Sequence, residues 1–159
     1  MTEPSSPLEG NAAERVAALT PDNPHLSSGR KPRLLIVGAG MMGREHLRVS
    51  QLLGWADVQG IVDPDGGSLE WACTDWRFLT NAPLTIYRDL SEACLDEAVD
   101  AIVIATPNHT HRDVLHAVSA SHKPVLLEKP MATTLADAMD IVSLARDYPA
   151  VIQLGMQYR

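Results

Sequence analysis

The sequence predicts an α/β fold, a doubly wound parallel sheet with helices on both faces and the strand order 3-2-1-4-5-6. Short apolar runs alternate with helix-like segments from Arg33 onward. These runs are continuous and rich in β-branched residues, which is typical of parallel strands buried on both faces. The first run leads directly into a glycine-rich turn, Gly38 to Gly43, with a helix-like segment behind it.

Six apolar runs are predicted as strands, and the third is the weakest of them. In chain order they are Leu34 to Val37, Val58 to Val62, Leu84 to Tyr87, Ala101 to Ala105, Val125 to Leu127 and Val151 to Leu154. Because strands and helix-like segments alternate, right-handed βαβ crossovers should join neighbouring parallel strands.

The segments between the strands carry helix signals. Capping boxes are predicted at Thr110 to Asp113 and at Thr134 to Asp137, and Asp89 can cap a short helix. A further helix is expected around Leu69 to Phe78. The sequence also predicts which side chains of the helices face the core. Trp71 and Trp76 should be partly buried, while Leu135, Ala138, Met139 and Val142 fall on one apolar stripe, as in a helix that packs on a core.

Composition limits the classes of partner. The 159 residues carry a formal net charge of -7, which disfavours nucleic acid and anionic membrane surfaces. No apolar run approaches the ~20 residues that a membrane span needs. The spacing of Cys73 and Cys94 fits neither a C-x-x-C redox pair nor a zinc site.

The first 31 residues differ in character from the rest. They are rich in Pro, Ser, Asn and Gly, which predicts a disordered tail over residues 1–31 and a folded domain over residues 32–159. The same stretch has no apolar core region of an export signal. We therefore expect a cytoplasmic protein.

The glycine-rich turn has the spacing G-x-G-x-x-G between a strand and a helix. Gly38 permits a tight turn, Gly40 lets the backbone approach a pyrophosphate, and Gly43 lets the helix pack against the strand. The helix N-terminus then offers unpaired N–H groups to the phosphates. The turn therefore predicts a dinucleotide site.

An acidic residue stands where such a site needs one. Asp63 follows the second predicted strand, 20 residues after Gly43. Its carboxylate can accept hydrogen bonds from the adenosine ribose hydroxyls and would repel a 2'-phosphate. Since no Arg or Lys follows in the next four residues, the pattern favours NAD, with NADP as the alternative.

Polar groups follow the fourth and fifth strands at the same predicted edge of the sheet. Thr106, Pro107 and Asn108 come after the fourth strand, and Glu128 and Lys129 come after the fifth. Lys129 can polarise or protonate a substrate oxygen, and Glu128 can hold or neutralise it. A surface ion pair at a strand end is the simpler alternative.

The histidines do not predict a metal site. His109, His111 and His116 lie close in sequence, but no paired cysteine or carboxylate cluster accompanies them. His46, one turn into the first helix, is expected to pack near the cofactor. We therefore predict no bound metal.

The strings GAGMMGREH, VDPD, ATPNHTH and LLEKPMA together resemble the glucose–fructose oxidoreductase and inositol dehydrogenase family (Gfo/Idh/MocA). The resemblance runs from Arg33 to Arg159, and the E-K-P step is its most specific part. It implies an N-terminal Rossmann domain that binds NAD or NADP and a C-terminal α/β substrate domain. It also implies hydride transfer at a hydroxyl or carbonyl group of a sugar, cyclitol or related small molecule.

Carried over by position, the resemblance assigns roles to individual residues. Glu128 and Lys129 look like the active-site pair. The predicted cofactor-binding residues are Gly38, Gly40, Met41, Met42, Gly43, Asp63, Thr106, Pro107, Asn108, His111, Glu128 and Lys129.

The family's D-x-x-x-H helix and substrate domain have no counterpart before Arg159. We therefore expect this chain alone to be inactive and its last strand to offer an edge through which it can form a homo-oligomer. A non-catalytic nucleotide-sensing or partner-binding module remains the alternative. A methyl-donor site would explain neither the E-K-P step nor the T-P-N loop.

Overall fold

A computed structural model of the protein describes residues 29–156. They contain one parallel sheet of six strands in the order β3-β2-β1-β4-β5-β6, which confirms the predicted fold. The strands are β1 (Arg33–Val37), β2 (Asp57–Val62), β3 (Thr85–Tyr87), β4 (Ala101–Ile104), β5 (Val125–Glu128) and β6 (Ile152–Gly155). The helices are α1 (Met41–Leu53), α2 (Gly66–Leu79), α3 (Leu90–Leu95), α4 (His111–Ser119) and α5 (Leu135–Asp147), with a 3-10 turn at Asn108–Thr110 before α4.

The core consists of two layers, one on each face of the sheet. Along β1, Leu35 and Val37 belong to one layer and Ile36 to the other. The first layer takes side chains from α3, α4 and α5, including Cys94, Leu115 and Ile141, and the second takes Leu47, Ala72 and Trp76 from α1 and α2. Because side chains alternate along a strand, burial on both faces explains the continuous apolar runs.

The strand order reverses between β1 and β4, which are direct neighbours. Val37 pairs with Val62 of β2 on one side and with Ile104 of β4 on the other. The segments that follow these strands therefore leave the sheet at one edge. The turn after β5 opens at the same edge, since β5 runs parallel to β4.

The helix predicted around Leu69 to Phe78 is present and longer, but its two tryptophans differ. Trp76 is buried and donates a hydrogen bond from Nε1 to the Ala82 carbonyl oxygen, at 2.8 Å. Trp71 is exposed, and the Arg44 guanidinium carbon lies 5.9 Å from the centre of its ring. The prediction that Trp71 is partly buried is wrong, because α2 turns this side chain towards Arg44 rather than the core.

Two of the three predicted helix caps form. Thr134 Oγ1 accepts a hydrogen bond from the Asp137 N–H, and Asp89 accepts one from the Glu92 N–H. The cap predicted at Thr110 is wrong. Its hydroxyl instead lies 2.9 Å from Thr106 Oγ1 and 2.8 Å from the Pro107 carbonyl oxygen, because a 3-10 turn precedes α4.

Three of the four residues in the apolar stripe predicted on α5 are exposed, and the fourth, Ala138, is half-buried. Leu135, Met139 and Val142 all face outward. Ile141 and the half-buried Leu144 anchor the helix instead. One buried and one half-buried side chain thus anchor a helix whose larger remaining apolar residues are exposed.

Of the tail predicted over residues 1–31, residues 1–28 lie outside the described residues. Within residues 29–156, no helix has the length and apolar character that a membrane span needs.

Candidate functional site

Two glycines of the turn after β1 are required by the packing of the chain itself. Gly38 has a φ of 102°, and a Cβ there would lie 2.7 Å from the Ala105 carbonyl oxygen. A Cβ on Gly43 would collide with the Gly38 carbonyl oxygen, where α1 crosses the turn. Gly38 therefore makes the tight turn and Gly43 permits close helix packing, the roles expected of them.

Gly40 is different, because its surroundings are empty. Among residues 29–156, nothing would lie within 4 Å of a Cβ there. Gly40 is also the N-cap of α1, with no side-chain cap and no acidic residue in the first turn. The first N–H groups of α1, including those of Met41 and Met42, have no acceptor within the helix, and such a helix N-terminus suits an anionic group such as a pyrophosphate.

Asp63 lies beside this turn and holds it. Its Oδ2 accepts a hydrogen bond from the Ala39 N–H at 2.7 Å, and its Oδ1 accepts one from the Asp65 N–H at 2.8 Å. Each carboxylate oxygen has a second lone pair. Asp63 can therefore support the phosphate turn and still accept hydrogen bonds from ribose hydroxyls.

A second carboxylate stands two residues further on. Asp65 caps α2 by accepting a hydrogen bond from the Ser68 N–H at 2.7 Å. Hydrogen bonds from Ser68 are the main cause that lowers the pKa of the Asp65 carboxyl group. The region after β2 thus carries negative charge, which disfavours a 2'-phosphate.

The loop after β4 presents exposed polar groups beside the glycine turn. Pro107 and Asn108 are exposed, and Thr106 is half-buried. The Ala105 N–H that opens this loop donates to the Val37 carbonyl oxygen at 2.8 Å, which ties the loop to the end of β1. The amide of Asn108 is therefore accessible to a bound molecule.

His111 occupies a supporting position rather than an exposed one. Its side chain is fully buried, with Nδ1 3.0 Å from the Pro130 carbonyl oxygen and Nε2 3.0 Å from the Thr106 carbonyl oxygen. The ring thus bridges the loop after β4 and the turn after β5. Its predicted direct contact with the cofactor stays a prediction, while the geometry shows a contact with two protein backbones.

Glu128 and Lys129 do not form an ion pair with each other. Glu128 is buried at the end of β5, and its Oε2 accepts a hydrogen bond from the backbone N–H of Lys129 at 3.1 Å. The Lys129 side chain is exposed, and no carboxylate within residues 29–156 lies within ion-pair distance of its ammonium group. The Lys129–Pro130 peptide bond is cis.

His46 is the functional candidate whose role sequence reasoning missed. Its Nε2 lies 2.9 Å from Glu128 Oε1, and both side chains are largely buried. Its predicted place near the cofactor turn is compatible with this contact, but nothing in the sequence links two residues 82 positions apart. The two residues meet only because α1, which carries His46, packs close to the end of β5, where Glu128 lies.

Two further reactive side chains, His116 and Cys94, take no part in the contacts described above. His116 pairs with Asp140 on the surface at 2.7 Å. Cys94 is buried, and desolvation raises the pKa of its thiol to about 11. Across residues 29–156, no group of three His, Cys, Asp or Glu side chains is arranged to hold a metal ion.

Comparison with protein families finds one match across most of the chain. Residues 32–156 match the GFO_IDH_MocA family, described as an oxidoreductase family with an NAD-binding Rossmann fold. Among curated proteins, the chain is 36% identical over 131 residues to inositol 2-dehydrogenase of Leifsonia xyli subsp. xyli. It is 34% identical over 112 residues to inositol 2-dehydrogenase 1 of Saccharopolyspora erythraea.

Comparison with solved structures also finds a similar dehydrogenase. The chain is similar, with a TM-score of 0.69 and 27% identity, to myo-inositol dehydrogenase of Lactobacillus casei, whose structure is a complex with NAD(H) and myo-inositol. The similarity covers 79% of this chain and 37% of that one. The two curated relatives are matched over 80% and 70% of this chain but only 36% and 32% of their own lengths. The chain thus spans about a third of the relatives it matches.

Proposed function

The chain belongs to the GFO_IDH_MocA family of oxidoreductases with an NAD-binding Rossmann fold, and from this premise we propose its function. Residues 32–159 are the NAD-binding domain of an enzyme that oxidises or reduces a CH–OH or carbonyl group. The substrate is a sugar, a cyclitol or a related small molecule. The names of the relatives support this class, since two of them are inositol 2-dehydrogenases.

The observation that carries the proposal is the open, uncapped N-terminus of α1 beside Asp63. The backbones of Met41 and Met42 bind the pyrophosphate, and the absence of a side chain at Gly40 leaves room for it. Asp63 accepts hydrogen bonds from the adenosine ribose. NAD is preferred over NADP because Asp63 and Asp65 place two carboxylates near the ribose.

The active site lies further along the same edge. A bound nicotinamide cofactor would supply hydride transfer to or from a carbon of the substrate. Thr106, Pro107 and Asn108 line the nicotinamide half of the site, and Lys129 moves a proton at its Nζ to or from the substrate oxygen. The ammonium group of Lys129 is suited to this role, because it is exposed and no carboxylate of residues 29–156 pairs with it.

Turnover by this site needs a substrate-binding part as well. The matched region is about a third of each curated relative, and we place the substrate pocket outside it. Residues 29–156 therefore supply the cofactor-binding site, Lys129 and the loop after β4, and they do not turn over substrate by themselves.

A binding experiment tests the cofactor assignment. We would titrate the chain with NADH by fluorescence and repeat the titration with Gly40→Ala. A methyl group at Gly40 would meet no other part of residues 29–156 within 4 Å, so this variant should keep its melting temperature and lose NADH affinity by roughly tenfold or more. Ser143→Ala, on the exposed face of α5, is the control and should bind like the wild type. A wild-type chain that does not bind NADH would contradict the proposal.

A second experiment separates an enzyme from a nucleotide-sensing module. Lys129→Ala should leave NADH affinity nearly unchanged, because the side chain is assigned to the substrate oxygen. In a protein that also carries the family's substrate domain, the same change should abolish turnover. Turnover that survives Lys129→Ala would remove the lysine from the mechanism, whereas an absence of turnover with Lys129 intact would favour the sensing module.

A further inference from the structure

The turn that carries Lys129 is held from both sides by histidines of two different helices. On one side, Glu128 contacts His46 of α1. On the other side, the Pro130 carbonyl oxygen contacts His111 of α4. No other part of the site receives side-chain support from two helices in this way within residues 29–156, and the residue between the two supports is the proposed catalytic lysine.

The support on the α1 side passes through one carboxylate. Glu128 Oε1 lies 2.9 Å from His46 Nε2, and Glu128 Oε2 accepts a hydrogen bond from the Lys129 N–H at 3.1 Å. Because a carboxylate only accepts hydrogen bonds, His46 donates from Nε2. The carboxylate therefore links a ring on α1 directly to the backbone of Lys129.

Burial makes this link stronger than a surface contact. The side chains of His46 and Glu128 are 22% and 9% exposed, so water competes poorly for either partner. A buried carboxylate that lost its histidine partner would also be left partly unsatisfied. The pair should therefore hold its geometry.

The other side of the turn is a fixed support. His111 is fully buried and lies 3.0 Å from both the Thr106 and the Pro130 carbonyl oxygens. The backbone after Lys129 is thereby fastened to the loop after β4. A displacement of Glu128 would consequently reorient Lys129 rather than shift the whole turn.

The helix that carries His46 is also the helix whose N-terminus faces the proposed phosphate site. Gly40 caps α1, and His46 stands less than two turns further along the same rigid element. We propose that His46 is a positioning residue that couples the seating of the cofactor on α1, through Glu128, to the orientation of Lys129. This inference rests on the proposed function, because it requires α1 to bind the cofactor.

The test compares three variants of the chain. His46→Leu removes the donor, and His46→Gln keeps an amide that can donate to Glu128. The matched control is His116→Leu, which removes a histidine that also contacts a carboxylate, but on the surface of α4. All three should bind NADH within about threefold of the wild type, since neither histidine is assigned to the cofactor.

The decisive readout is the NMR signal of Lys129, at its backbone amide and its side-chain ammonium, assigned with Lys129→Arg. In the wild type and in His116→Leu, saturation with NAD should shift both signals. His46→Leu should lose the shift of the ammonium signal, and His46→Gln should restore it. Joined to the family's substrate domain, His46→Leu should lower kcat by roughly 10- to 100-fold with little change in KM for NAD.

The outcomes distinguish the two proposals. A wild-type chain that does not bind NADH overturns the proposed function and the coupling with it. NADH binding with an unchanged Lys129 response in His46→Leu overturns the coupling alone. If His46→Leu does not fold, the folded His46→Gln variant becomes the test. Because this variant retains the hydrogen-bond donor, the coupling predicts that its Lys129 signals respond to NAD. The absence of that response would overturn the coupling.

Discussion

Three glycines of one turn serve two different purposes at the scale of single residues. Gly38 and Gly43 have protein atoms where a side chain would stand, whereas Gly40 has none. The first two are therefore demanded by folding, and the third is left open for a ligand. Within this six-residue turn, Gly38 and Gly43 are thus needed for stability and Gly40 for binding.

The first prediction concerns Gly43→Ala. The new Cβ would collide with the Gly38 carbonyl oxygen, which is backbone and cannot rotate away. We expect the free energy of unfolding to fall by about 1–3 kcal/mol, as for other overpacked sites. Urea denaturation measures it, with Gly40→Ala as the matched control. Equal stabilities for the two variants would contradict the packing role of Gly43.

The second prediction concerns Asp63→Ser. Loss of the carboxylate should weaken the rejection of a 2'-phosphate, so the ratio of NADPH to NADH dissociation constants should fall by roughly tenfold. The ratio is the quantity to compare, because Asp63 also accepts a hydrogen bond from Ala39 and its loss affects both cofactors. Asp57→Ser, at the exposed start of β2, should leave the ratio unchanged.

The third prediction follows from the raised pKa of Cys94. At pH 8, a thiol with a pKa of about 11 is ionised in only about one molecule in a thousand. The side chain is also buried. Iodoacetamide should therefore alkylate Cys73 before Cys94 in the native chain and both in urea, as mass spectrometry would show. The rate at Cys94 should rise with pH towards 11, since the thiolate is the reactive form.

At the scale of elements, helix α5 shows how a cap and a packing face contribute separately. Its cap at Thr134 forms as its sequence predicts, while its apolar stripe faces outward. A cap depends on residues three positions apart, but the buried face depends on how the helix lies on the sheet. In α5, the sequence therefore predicted the cap, which is local, more reliably than the buried face.

The fourth prediction concerns this cap. Thr134→Ala removes the acceptor for the Asp137 N–H and should lower the free energy of unfolding by about 1 kcal/mol. Thr133→Ala is a close control, because Thr133 is exposed and precedes the cap. Thermal or urea unfolding of both variants decides the question. A loss at Thr133 as large as that at Thr134 would count against the cap.

At the scale of the whole molecule, the two cores on opposite faces make the sheet a rigid base for the loops at its edge. β1 lies between β2 and β4, and its apolar residues are divided between both cores. The glycine turn, the loop after β4 and the turn after β5 all leave from strands near this centre. The candidate site thus rests on strands whose side chains are buried on both faces of the sheet.

The fifth prediction concerns the division of the chain near residue 31, which stays a prediction from composition. Limited digestion with trypsin should cut after Arg15 and Arg30 before it cuts after Arg88, although Arg88 is exposed within the described domain. A stable product that starts near residue 31 is expected on a gel and by mass spectrometry. Early cleavage at Arg88 would contradict the predicted boundary.

The sequence by itself determined the strand order, the glycine turn, and the positions of Asp63, Asn108, Glu128 and Lys129 at strand ends. These features depend on local periodicity and on the rule that parallel strands end at one edge, so a single sequence carries them. Only the tertiary structure decided that Glu128 contacts His46 instead of pairing with Lys129, and that His111 is a buried bridge. The reason is physical: such contacts depend on where α1 and α4 cross the sheet, and that crossing is set by packing over the whole molecule.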